Sequence, residues 1–241
     1  MNGGDPTDAL SAVPAAGSRR GRPVAGVVHF FHGPMDCGKS TLALQIDHNQ
    51  TRQGRRGLLL TRHDRSGAPQ ISSRMGLQRE ATEVGADTDL RLLVRERWAT
   101  GVGVDYLVVD EAQFLSPEQV AQLGELADDN QVDSYCFGIA TDFRGRLFPG
   151  AQRLVELADE VTPVQVEVLC WCGASGRFNA RVVDGRFARH GDTVVVADTA
   201  TGPHSSGADA VTVRYQVLCR RHHRLGQLAP AGQQQEQLPL Q

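Results

Sequence analysis

The chain predicts an α/β fold: one parallel sheet flanked by helices, followed by a small, β-rich module held by a metal. Three observations carry this reading. Apolar runs alternate with helical stretches along residues 26–164. The first run ends in a glycine-rich loop that opens a helix. Beyond about residue 165, paired cysteines and short β-like runs replace the alternation. Alternating β and α segments need crossover connections, which cover both faces of a parallel sheet and leave ligands at the carboxyl ends of the strands.

The elements follow in order. Residues 1–25 are rich in Ala, Gly, Ser and Pro and have no apolar h-region, so a disordered leader is expected there and not a secretory signal. Val27, Val28, Phe30 and Phe31 form the first buried strand. Gly33-Pro34-Met35-Asp36-Cys37-Gly38-Lys39-Ser40-Thr41 then reads G-x-x-x-x-G-K-S, and Thr41 to Ile46 has helical spacing. Gly33 and Gly38 let the backbone aim N–H groups at phosphate oxygens. Lys39 adds charge at the β- and γ-phosphates, and the Ser40 hydroxyl is suited to Mg²⁺. Strand, loop and helix N-terminus together form the anion-binding arrangement of a P-loop NTPase-type sheet.

Gly57 to Thr61 reads as a second strand, Arg62 to Gly76 as a polar, mobile loop, and Leu90 to Trp98 as a helix. Tyr106 to Asp110 is a buried strand ending in acid. Pro117 to Asp129 is a helix with Ser116 at its N-cap and Pro117 at its first position. Ser134 to Ala140 is another strand. Asp110, at a strand end, is placed to reach a cation held by the loop serine. Glu111 beside it is suited to act as a general base or to polarise a water. A compact chain of 241 residues suits phosphoryl transfer to a small molecule better than a motor.

The net charge of −3 and the lack of a basic stripe argue against a nucleic-acid partner. No apolar run approaches the length of a membrane span. Five cysteines without an export signal point to a reducing, cytoplasmic compartment, with thiols or thiolate ligands in place of disulfides.

The second module supplies Cys170-Trp171-Cys172 and Cys219-Arg220-Arg221-His222. Two close pairs of soft ligands separated by a long loop suit a closed tetrahedral Zn²⁺ site, which would stabilise a module with little core of its own. The first pair is one residue tighter than the usual C-x-x-C. His223 competes with His222 as fourth ligand, and spacing favours His222. Trp171 is placed to cover the metal. Residues from 225 to 241 are Gln- and Pro-rich and are expected to be a disordered tail.

Several stretches together resemble the thymidine kinase family of the cellular and bacterial type, whose members carry a zinc-bearing lid. They are F-H-G-P-M-D-C-G-K-S-T at 31–41, S-S-R-M-G-L at 72–77 and D-E-A-Q-F-L at 110–115. F-G-I-A-T-D-F-R-G-R-L-F-P-G-A-Q-R-L-V-E-L-A-D at 137–159 and Y-x-x-x-C-R-x-H at 215–222 complete the set. The resemblance covers about residues 26–224, with the lid at 165–224. It implies transfer of the γ-phosphoryl group of ATP, with Mg²⁺, to the 5′-hydroxyl of thymidine or deoxyuridine, giving dTMP and ADP for nucleotide salvage.

The resemblance also implies roles. Glu111 matches the catalytic base. Residues Gly33 to Thr41, with Arg65, Asp110 and Gln113, fall on the ATP and Mg²⁺ side. Met35, Phe114, Phe143, Asn179 and Tyr215 fall on the nucleoside side. A lasso of about Ser206 to Arg214, including Gly207, Ala208, Asp209 and Ala210, would wrap the nucleoside through its backbone. Family members are commonly homotetramers.

The chain departs from the family pattern at four places. These are the tight Cys170–Cys172 pair, Asn179 where a Thr is common, a longer lasso without its Gly-Gly pair, and His63 in place of the acid two residues before Arg65. Two other readings stay open. One is a deoxynucleoside kinase with altered base preference. The other is a non-catalytic ATP switch whose zinc module grips a partner.

Overall fold

A computed structural model describes residues 25–62, 69–191 and 212–230. The chain runs β1 (Val28–His32), α1 (Lys39–Arg52), β2 (Gly57–Thr61), β3 (Gln70–Ser72), β4 (Gln78–Glu80), β5 (Thr82–Glu83), α2 (Leu90–Ala99) and β6 (Tyr106–Val109). A 3₁₀ turn (Ala112–Phe114) follows, then α3 (Pro117–Asn130), β7 (Asp133–Gly138), α4 (Pro149–Leu157) and β8 (Glu160–Pro163). The second module is β9 (Phe178–Val183), β10 (Arg186–Phe187), β11 (Val213–Leu218) and α5 (Arg220–Leu225).

Six strands form one parallel sheet in the order β5-β2-β6-β7-β1-β8. Its two faces explain why the inner strands read as unbroken apolar runs. Along β6, Leu107 and Val109 enter the core formed with Leu90 and Val94 of α2, Leu123 and Leu126 of α3 and Leu154 of α4. Tyr106 and Val108 point the other way, against Ala43 and Leu44 of α1. Every residue of β6 is therefore buried. Helix α3 begins as expected: the Ser116 hydroxyl accepts from Gln119 N at 3.1 Å, Gln119 Oε1 accepts from Ser116 N at 3.0 Å, and Pro117 occupies the first turn.

Three stretches differ from the sequence expectation. Part of the 62–76 loop is a strand: β3 pairs antiparallel with β4, and Ile71, 1% exposed, covers the α1 face of the sheet. One apolar residue in three is too short a pattern to show a period. Strand β8 completes the sheet edge, yet its apolar Val161 is exposed, so hydrophobicity does not announce it. Residues 226–230, expected in the disordered tail, pack on the second module. Trp171 Nε1 donates to Gln227 O at 3.4 Å, Ala229 N donates to Gln216 Oε1 at 3.2 Å, and Leu228 packs beside Cys170 and Leu218. The expected leader, the β-like run Thr193–Val196 and the chain past 230 lie outside the described residues. Among the described residues no helix is long and apolar enough to cross a membrane.

Candidate active site

The phosphate loop joins β1 to α1. Gly38 takes φ +80° and Asp36 φ +69°, so the loop turns through left-handed backbone just before the helix starts. At Gly33 a side chain would collide with Sγ of the buried Cys37, which fills the inside of the turn. The Lys39 ammonium donates to Pro34 O at 2.8 Å and Gly33 O at 3.3 Å, folding the lysine along its own loop. Thr41 follows in the first turn of α1, half-buried. Gly33 N donates to Gly138 O at 3.3 Å, tying the loop to the end of β7.

The strand-end acid stands one strand away, because β7 lies between β1 and β6. Even so, the Ser40 hydroxyl donates to Asp110 Oδ2 at 2.8 Å. Asp110 Oδ1 accepts from the Glu111 backbone N at 3.0 Å. Burial, with the neighbouring Glu111 carboxylate second, raises the Asp110 carboxyl to about 6; the Ser40 hydrogen bond and the Lys39 charge oppose this. A serine hydroxyl and a carboxylate side by side are the oxygen donors that a hard divalent cation accepts, so the pair fits Mg²⁺. Burial, Arg177 and Lys39 also depress His32 at the end of β1, so its imidazole is held neutral beside the loop.

Glu111 leaves the strand in the left-handed region (φ 55°, ψ 34°) and is exposed. That backbone costs a non-glycine residue about 1 kcal/mol and turns the carboxylate away from the strand direction. Gln113 is 1% exposed, and both ends of its amide bond to the protein: Nε2 donates to Glu111 Oε2 at 2.5 Å, and Oε1 accepts from Ile139 N at 3.1 Å.

The second module is a three-stranded antiparallel sheet in the order β10-β9-β11. Cys170, Cys172, Cys219 and His222 gather at one end, with all ligand atoms within 4.8 Å of one another. Cys170 Sγ is 3.4 Å and Cys219 Sγ 3.6 Å from His222 Nδ1, and the Cys172 and Cys219 sulfurs are 4.0 Å apart. Zinc with sulfur and nitrogen ligands has tetrahedral edges of about 3.5–3.8 Å, so the donor set and its spacing fit that ion. The tight first pair closes through a turn in which Gly173, at φ +82°, donates to Cys170 O at 2.8 Å. Trp171 stacks on His222 with centroids 4.2 Å apart. His223 points elsewhere: its Nε2 lies 2.8 Å from Phe143 O and its ring stacks on Phe178. Geometry therefore separates the two histidines that spacing left in competition.

Beyond the contact of His223 with Phe143, further contacts join the second module to the first. Asn179 on β9, 3% exposed, accepts from Met35 N at 2.8 Å, so its carboxamide grips the phosphate loop. Arg181, two residues on, lays its guanidinium 3.7 Å over the ring of Phe143, which is itself buried, and Tyr215 is the cross-strand neighbour of Arg181. Phe114 meets Phe148 edge-on at 5.4 Å and, with Met35, borders the large core. Arg65 and Ser206, Gly207, Ala208, Asp209 and Ala210 lie outside the described residues. Sequence reasoning missed Gly138, Ile139, Arg181 and the ion pair of Asp36 with Arg74 at 2.5 Å. The runs F-G-I-A and S-S-R-M-G were visible, but nothing in them names a partner.

A phosphate loop hydrogen-bonded to an acid at the tip of a parallel strand, with a second carboxylate beside it, defines a nucleotide-binding protein of the P-loop class. The comparisons narrow this. The profile described as "Thymidine kinase" matches residues 26–223. A thymidine kinase of Streptomyces coelicolor is 54% identical over 195 residues, 81% of this chain and 87% of that protein. One from Cutibacterium acnes is 48% identical over 214 residues, covering 88% and 95%, and one from Salmonella typhimurium is 34% identical over 200 residues, covering 82% and 90%. The chain belongs to the thymidine kinase family.

Proposed function

We propose that the chain transfers the γ-phosphoryl group of ATP to the 5′-hydroxyl of thymidine, with deoxyuridine as a close second acceptor, for nucleotide salvage in the cytoplasm. The observation that supports this most is the 2.8 Å bond from Ser40 to Asp110, which joins the phosphate loop to the acidic strand end with the exposed Glu111 next in line. Loop N–H groups and Lys39 would hold the β- and γ-phosphates, and Ser40 and Asp110 would hold Mg²⁺. When bound, the Mg²⁺ ion neutralises charge on the phosphoryl oxygens. Glu111 accepts the proton of the sugar alcohol as the new bond forms. Phe114, Phe143, Asn179, Tyr215 and the lasso around residues 206–214 are assigned to the nucleoside by the resemblance. A homotetramer follows from the same source. Cys170, Cys172, Cys219 and His222 would hold one structural Zn²⁺.

The test is a nucleoside screen. Protein, ATP and Mg²⁺ are incubated with each nucleoside in turn, and 5′-monophosphate is measured. Thymidine and deoxyuridine should be phosphorylated, and Glu111→Gln should lower kcat by about 10²–10⁴-fold while ATP still binds. A larger kcat/KM for another nucleoside would move the chain to an altered base preference. ATP binding with no acceptor phosphorylated would sink the proposal.

A further inference from the structure

We infer that Gln113 is the positioning residue for the Glu111 carboxylate, and that the end of β7 sets both it and the phosphate loop in one register. This rests on Glu111 being the base, as proposed above. The orientation of one amide is fixed by its two partners. Ile139 N is a backbone donor, so the group of Gln113 facing it must be the carbonyl oxygen, which it meets at 3.1 Å. The NH₂ end is then fixed toward Glu111, where it donates to Oε2 at 2.5 Å. With Gln113 1% exposed, water cannot take over either contact, and the amide cannot flip without leaving a buried donor against a donor.

The residue beneath this amide is Gly138, the last of β7. A Cβ there would overlap Gln113 Oε1, so glycine at this position makes room for the amide. The same Gly138 accepts, through its carbonyl, from Gly33 N at 3.3 Å. The single peptide group between Gly138 and Ile139 is therefore used at both ends, its carbonyl and its N–H pointing in opposite directions. One holds the first residue of the phosphate loop; the other holds Gln113 and, through it, Glu111. Glu111 needs such a support because it sits on left-handed backbone at an exposed turn, where an unheld carboxylate samples several rotamers. The donor selects one of them.

Gln113→Glu keeps the length and the acceptor for Ile139 N but places an oxygen against the Glu111 carboxylate. Steady-state kinetics should show kcat lowered about 10²-fold with KM for thymidine within about twofold of the parent, since a misplaced group near the reacting atoms costs about that much. In a Glu111→Gln background the same change should lower the residual rate no further, because a residue that acts through another has no effect once that other is gone. Gln113→Met, which has no donor, should behave alike and serves if Gln113→Glu fails to fold, as judged by thermal melting. A parent-like kcat in either folded variant overturns the inference, as does an equal loss in the Glu111→Gln background. If Glu111→Gln itself retains the parental rate, the assignment of the base falls, and the inference falls with it for that separate reason.

Discussion

The two sheets of this molecule hold their functional residues by different means. At the carboxyl edge of the six-stranded sheet, the phosphate loop, Asp110 and Glu111 rest on inner strands, of which β6 is buried on both faces, and the position of each follows from the ladder beneath it. Among the described residues, the three-stranded sheet has a much smaller interior. Its buried apolar cluster is Cys170, Ala180, Leu218 and Cys219, and two of those four are metal-ligand candidates. The large sheet is organised by burial, the small one by a Cys₃His cluster at its end and a few contacts to its neighbour. Chemistry on phosphate needs fixed geometry, and the first means supplies it. A small module needs a support that does not depend on a large core, and the second means would supply that.

Metal removal breaks this comparison most sharply. Cys219→Ser, or chelation, should drop the zinc content from one per chain to near zero. It should also erase amide-exchange protection in β9 and β11 while leaving β1 and β7 protected. Structural zinc in small modules is worth on the order of 10 kcal/mol. Equal loss of protection in both sheets would show that they fold as one unit.

Asp110→Asn probes the large sheet. An unperturbed Asp carboxyl titrates near 4, and the folded one is raised to about 6. The folded state thus binds more protons between those values, so stability falls as pH rises from about 4 to 6 and stays lower above. Without nucleotide or Mg²⁺, Asp110→Asn should be more stable than the parent by roughly 1–3 kcal/mol at pH 7 and equal to it below pH 4, by urea unfolding, while losing kinase activity. A parent that gains stability over that range would contradict the buried, charge-opposed placement.

Asn179→Ala sharpens the link between the two sheets. It leaves Met35 N without its acceptor at a partly buried contact, which costs about 1 kcal/mol. KM for ATP should rise several-fold, although the residue lies on the small sheet. A change confined to the thymidine KM would show that Asn179 reads the nucleoside without bracing the loop.

How far these features could be read beforehand depends on whether the partners are close in the chain. The loop 33–41 was legible because its glycines, lysine and serine act on one another within a single turn. Asp110-Glu111 was legible because it ends an apolar run. The α3 cap was legible because Ser116 and Gln119 are three residues apart. The candidate metal ligands were legible as two close pairs, but the choice of His222 over His223 needed the directions of their rings. Strand β8 escaped notice because an edge strand need not be apolar.

The sequence alone determined the chemistry on offer: a phosphate-binding turn, two strand-end carboxylates, four candidate metal ligands and the family they belong to. These are local patterns, because a turn or a helix cap is closed by residues a few positions apart. Only the tertiary structure decided what each group touches. Asn179 reaches Met35 across 144 residues, and Gln113 reaches Ile139 across 26. Such contacts exist only once the parallel sheet has set its strand order, since a hydrogen bond between distant residues is made by the packing that brings them together and leaves no periodic trace in the chain.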